Sequence, residues 1–172
     1  MPAFEKKLEV IANLAIIVAA GFLGYAVLRG QFVHSGPTPF TKDGPKVGSA
    51  IQLDGVRLEH RNLIFALSTT CHFCAESMPF YSKLAATNGA NHALKLIAVF
   101  PADAEAGVKY LEGKGVQVDQ VITTSFNKLG VDGTPTVILI DESGTNLNRW
   151  VGKLPPSGEA EIFALFGSSD SL

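Results

Sequence analysis

A chain of 172 residues has room for one domain of ordinary size and an additional segment. Hydrophobic residues make up 47% and charged residues only 17%, against ~25% charged in a typical soluble domain. The formal net charge is −2, and from Val47 onward acidic residues outnumber basic ones with no basic stripe to offset them, which argues against a nucleic-acid partner.

The shortage of charge is local. Residues 1–7 form a short tail, and residues 8–28 (LEVIANLAIIVAAGFLGYAVL) carry a single charge, Glu9. At about 1.5 Å per residue, a helix of that length crosses a ~30 Å hydrocarbon core. Lys6, Lys7 and Arg29 flank it, and Tyr25 suits an interfacial position. A cleaved signal sequence has a shorter apolar run, ~7–15 residues, and ends in a small-residue cleavage site. The stretch therefore reads as one N-terminal transmembrane anchor. The positive-inside count is nearly tied, with the short charged tail weakly favouring an N-inside orientation. Residues 29–46, rich in Gly and Pro and without periodicity, read as a linker, and 47–172 as the folded domain.

Within that domain, Ile51–Leu53 and Val56–Leu58 flank Asp54-Gly55, a strong hairpin signal. Leu63–Ser68 is a continuous apolar run, as expected of a strand buried on both faces. Phe73–Ala86 reads as a helix, Lys95–Phe100 as a buried strand, and Asp103–Glu112 as a helix with an acidic first turn. Val118–Ile122 gives a short strand. Thr136–Ile140 and Leu147–Val151 form a hairpin across Asp141-Glu142-Ser143-Gly144, with Trp150 in the core. Pro155-Pro156 break the chain before a closing helix, Gly158–Phe166. Alternating β and α units followed by a hairpin imply an α/β fold: a mixed central sheet with helices on both faces.

The two cysteines stand together as Cys71-His72-Phe73-Cys74. A structural zinc site needs four Cys or His ligands, and His34, His60 and His92 supply no H-x₃₋₅-H pair; His60 and His92 read as surface residues. A c-type haem attachment needs His where Ala75 stands. The remaining reading is redox. Cys71 closes a strand and opens a helix, where unpaired N–H groups stabilise a thiolate and create a nucleophile. Cys74, one turn on, lies within reach to attack a mixed disulfide and release product. The dithiol carries its own electrons, so neither cofactor nor metal is expected. A chain with two cysteines must exchange electrons with another protein, so an upstream redox partner is expected besides the disulfide or dithiol substrates.

The order strand, CxxC, helix containing Pro79, and then Gly133-Thr134-Pro135-Thr136 before a strand resembles the thioredoxin superfamily. The separation of Cys71 from Pro135 exceeds that of plain thioredoxin and, with the anchor, resembles the membrane-tethered TlpA/ResA-like branch. The resemblance covers roughly residues 47–167. It implies a cis-proline loop in which Thr134 and Pro135 hold substrate backbone beside the cysteines. It also implies a thiol–disulfide oxidoreductase that reduces partner proteins on the extracytoplasmic, periplasmic side of a bacterial inner membrane.

Three positions depart from the family. Thr70 replaces the Trp usual before the first cysteine. Ser77 stands where ResA-like proteins carry Glu, with Glu76 one place early. Phe65 occupies the place of thioredoxin's buried Asp. His72 has two readings, a cation that stabilises the Cys71 thiolate or a solvated residue of the first turn. Phe73 reads as an exposed contact for partner proteins or as packing on the proline loop.

Two further functions compete. Ser68, three residues before Cys71, echoes a peroxiredoxin-type thiol peroxidase, although Ile64 replaces that motif's Pro. Two thiolates suit Cu(I) in an SCO-like assembly chaperone, yet no His follows His92 to serve as a third ligand.

Overall fold

The computed structural model describes residues 46–167. The expected tail, anchor and nearly all of the linker lie outside the described residues. Among the described residues, no helix is long and apolar enough to cross a membrane.

The described residues contain five strands, β1 (Arg61–Ala66), β2 (Lys95–Phe100), β3 (Gln120–Thr123), β4 (Thr136–Asp141) and β5 (Asn146–Val151). They form one sheet in the order β3-β2-β1-β4-β5. Three α-helices accompany it among the same residues: α1 (His72–Asn91), α2 (Ala104–Glu112) and α3 (Pro156–Ala164). β1 pairs in parallel with β2 (Phe65 opposite Ala98) and antiparallel with β4 (Phe65 opposite Val137). β2 and β3 are parallel, while β4 and β5 are antiparallel with an irregularity at Leu139 and Ile140. The sheet is mixed, as its sequence pattern implies.

The expectation of helices on both faces is corrected. Leu63, Phe65, Leu96, Ala98, Phe100 and Val137 meet residues of all three helices, among them Leu84 of α1, Leu111 of α2 and Ile162 of α3. The opposite face, including Ile64, Ile97 and Ile138, is covered by Ile51, Leu129 and Val131 with Leu53, Val56, Leu58 and Phe126 around them. Its only helical cover among the described residues is a 3-10 turn, Phe126–Leu129. The reason is topological. The steps β1 to β2 and β2 to β3 run the same way across the sheet, so right-handed crossovers put both connecting helices on one face.

The hairpin expected around Asp54-Gly55 is likewise absent. The turn forms, with Gly55 at φ 74° and the Val56 N–H donating to the Leu53 carbonyl at 3.3 Å. No ladder joins its arms, because their backbone and side chains have other partners. Ala50 bridges Thr145, the Ile51 N–H donates to Gly144 O at 2.8 Å, and the apolar side chains lie on the open sheet face.

Element boundaries moved for local reasons. β1 starts earlier than its apolar run, at Arg61, since Arg61 and Asn62 pair with Asp141 and Ile140. α1 runs on to Asn91, where His92 takes a left-handed φ of 48° and its N–H caps Asn88 O at 2.6 Å. The buried Asn88 amide then holds the turn by giving and receiving hydrogen bonds with Leu94 at 2.8 and 3.1 Å. Pro156 begins α3 instead of breaking the chain before it, because a first-turn residue needs no N–H partner within the helix. Trp150 is buried, and its Nε1–H donates to Glu161 of α3 at 2.9 Å.

Candidate active site

Cys71 lies at the junction of β1 and α1, in extended geometry (φ −82°, ψ 118°), as the N-cap of α1. Its Sγ accepts the Cys74 N–H at 3.1 Å, taking the place a Ser or Asp oxygen fills in ordinary caps. No acidic residue occupies the first turn, so the positive end of the helix acts on the sulfur unopposed. The Cys71 thiol also donates to the Thr134 carbonyl at 3.3 Å, which joins the CxxC to the proline loop across the fold.

That loop is fixed on both sides. The Thr134–Pro135 bond is cis. Thr136 Oγ1 donates to Gly133 O at 2.7 Å, and the Gly152 N–H donates to Pro135 O at 2.7 Å. β4 begins at Thr136 and runs beside β1, so the loop before β4 and the turn after β1 arrive at the same sheet end.

The two thiols are driven apart. Burial pushes Cys71 up, but hydrogen bonds from Cys74, the Thr134 side chain and the backbone of Cys74 and Phe73 outweigh it. The net result lies below the ordinary thiol value. Cys74 is wholly buried, and that desolvation, reinforced by the bond it gives Cys71, pushes it up to about 12. Cys71 therefore gives up its proton more readily than an ordinary thiol and Cys74 less readily, an asymmetry suited to attack on a disulfide by the first and displacement by the second. The arrangement is competent for thiol–disulfide exchange, the chemistry of a thiol–disulfide oxidoreductase.

His72 is exposed, and its Nε2 lies 3.1 Å from Glu76 Oε1. The other Glu76 oxygen meets Lys153 Nζ at 2.9 Å, and that lysine holds the Glu76 carboxyl below its usual range, with His72 adding to the effect. The imidazole is thus engaged with a carboxylate on its own helix. Phe73 is 56% exposed, with its ring edge against His72 at 5.8 Å between centroids. Ser68 Oγ is 3.2 Å from Thr70 Oγ1, so the hydroxyl singled out for peroxide chemistry pairs with Thr70. Ser77 Oγ donates back to Phe73 O at 2.8 Å, and Phe65 is buried against Tyr81. His60 and His92 are exposed. Among the described residues, no group of three or more His, Cys, Asp or Glu could hold a metal ion.

Sequence reasoning passed over Tyr81 and Tyr110. Both hydroxyls feel the charges of Cys74 and Cys71, and burial drives both upward. Tyr81 lies two turns along α1 from the cysteines and could be found by helical spacing. Tyr110 comes from another helix, and no local pattern marks it.

The comparison with curated proteins returns no significant match. Solved structures share the fold. One, described as a thiol:disulfide interchange protein DsbE from Chlorobium tepidum, is 24% identical with a TM-score of 0.51, covering 73% of this chain and 99% of its own. A secreted Mycobacterium tuberculosis disulfide oxidoreductase is 15% identical with a TM-score of 0.51, over 74% of this chain and 96% of its own. A Bacteroides thetaiotaomicron chain described as a protein disulfide isomerase is 18% identical with a TM-score of 0.51, over 61% and 70%. A family model, the thioredoxin-like domain, matches residues 56–165, from the turn before β1 to the end of α3. With its paired cysteines, its proline loop and that match, the chain belongs to the thioredoxin-like domain family.

Proposed function

We propose that this chain is a membrane-anchored reductant of the TlpA/ResA-like kind, which passes electrons from Cys71 and Cys74 to partner proteins on the extracytoplasmic side of a bacterial inner membrane. One observation carries the exchange chemistry: an acidified, accessible Cys71 hydrogen-bonded to the proline loop, with a buried, alkaline Cys74 behind it. The apolar segment 8–28 supports the tether, since a thiol reductase serving the cytosol needs none. The Mycobacterium neighbour, described as secreted, is consistent with work outside the cytoplasm. Substrate disulfides are attacked by Cys71. Thr134 and Pro135 support the substrate backbone, Phe73 offers an apolar contact, and His72 tunes the thiolate within the reach Glu76 leaves it. An upstream dithiol protein restores the reduced state.

The direction of electron flow is tested by the midpoint potential of the full chain in thiol redox buffers. A value near or below about −230 mV supports a reductant. A value near about −120 mV reverses the assignment to an oxidant. Absence of a reversible dithiol couple rejects the exchange chemistry altogether.

A further inference from the structure

Resolution of a mixed disulfide requires Cys74 to become a thiolate in a wholly buried place. Its surroundings offer no carboxylate at either position where resembling proteins carry one. Phe65 is buried with its ring 5.0 Å from Tyr81, Ser77 Oγ is committed to Phe73 O, and the nearby Glu76 is turned to His72 and Lys153. The titratable groups on the elements packed around the pair are Cys71 and Tyr81 on α1, Tyr110 on α2, and Glu159 on α3, whose charge reaches Tyr81.

Tyr110 differs from the rest in one respect. Its hydroxyl oxygen is buried with no hydrogen-bond partner among the described residues. The side chain packs on the same core cluster that contains Cys74. Its seat is well defined. The ring meets Phe100 edge-on at 6.3 Å, and Phe100 in turn lies over Gly107, where a Cβ would come within 2.5 Å of the ring. An orphaned buried hydroxyl destabilises a fold, and an apolar ring of the same shape would remove the cost. The charges of Cys74 and Cys71 act on this hydroxyl, and with burial they keep its proton in place.

We propose that Tyr110 is the positioning residue of the resolving step, donating its unused O–H to the Cys74 sulfur as that sulfur becomes a thiolate. The inference rests on the dithiol reading above. Cys71 first attacks a substrate disulfide, forming one S–S bond and expelling one substrate thiolate. Cys74 then gives up its proton, which ends on the departing second substrate sulfur, and attacks Cys71. The Cys71–substrate bond breaks as the Cys71–Cys74 bond forms, so the dithiol is oxidised by two electrons and the substrate disulfide is reduced by two. Tyr110 keeps its proton throughout and acts only by stabilising the charge on Cys74.

The test uses the full chain reduced and mixed with the aromatic disulfide 5,5′-dithiobis(2-nitrobenzoate). The first coloured thiolate reports attack by Cys71 and the second reports resolution by Cys74. Tyr110→Phe should leave the first phase unchanged, slow the second roughly tenfold and move its pH profile upward. Its thermal midpoint should equal or exceed that of the unsubstituted chain, because only an unpartnered hydroxyl is lost. Tyr81→Phe should leave the second phase in place. The proposal is overturned by an unchanged second phase in Tyr110→Phe, by equal slowing of both phases with a lowered thermal midpoint, or by a loss carried by Tyr81→Phe instead. If the unsubstituted chain releases no second thiolate, the exchange reading itself fails, an outcome distinct from all of these.

Discussion

Cys71 and Cys74 have the same side chain and sit three residues apart, yet their surroundings move them in opposite directions. Hydrogen bonds from Cys74 and the backbone at the start of α1 stabilise charge on Cys71, whereas desolvation penalises charge on Cys74. For a thiol lowered below its ordinary value, the reactive thiolate is present above the lowered value and disappears as pH falls through it. For the raised thiol, the thiolate appears only as pH climbs toward about 12. Iodoacetamide at neutral pH should therefore alkylate Cys71 alone in the folded, reduced chain, with Cys74 labelled only after unfolding. Peptide mass spectrometry reads the ratio, and equal labelling would contradict the geometry. The CHFC spacing and the Thr134-Pro135 step were legible because they are local. The Cys71–Thr134 hydrogen bond and the placement of Tyr110 depend on segments far apart in sequence, so no window along the chain could display them.

At the scale of elements, the buried strands β1, β2 and β4 follow directly from continuous apolar runs, which only a sheet covered on both faces can bury. The segment 51–58 misled because a turn signal between two apolar arms does not say what the arms pair with. Its anchor is the β4–β5 turn. Gly144 sits at φ 83°, and a Cβ there would meet the Ile51 carbonyl oxygen at 2.5 Å. Gly144→Ala should cost at least ~1–2 kcal/mol, since it combines a disfavoured backbone region with a backbone clash. Thermal or denaturant unfolding gives the loss, and no loss would show that the segment can lift from the turn freely. Exchange at Cys71 should be unaffected, as the turn lies at the end of β4 remote from the proline loop.

At the scale of the whole domain, the described residues form a sheet with unlike covers. Among the described residues, three helices lie on one face, while the other carries the 3-10 turn and residues 51–58. The helical face holds both the active-site helix and the larger core, so its packing should dominate stability. Leu84, fully buried on α1, contacts that core, and Leu84→Ala should cost about 2–5 kcal/mol by removing transfer energy and leaving a cavity. Trp150 is the single tryptophan and is buried, so its fluorescence should report the same unfolding transition as far-UV circular dichroism. A loss well below that range would mean that the sheet's other face carries the fold.

The sequence by itself determined the redox pair, the order of strands and helices from β1 onward, the mixed sheet and the need for a partner, because each follows from local chemistry or from short-range periodicity. The tertiary structure decided which face each helix takes, since that depends on the direction of successive crossovers. It decided where the backbone of residues 50–51 finds its hydrogen bonds. It also decided how deeply Cys74 is buried and which loop meets Cys71, since the desolvation of one thiol and the Thr134 contact of the other act through space, and spacing along the chain cannot express either.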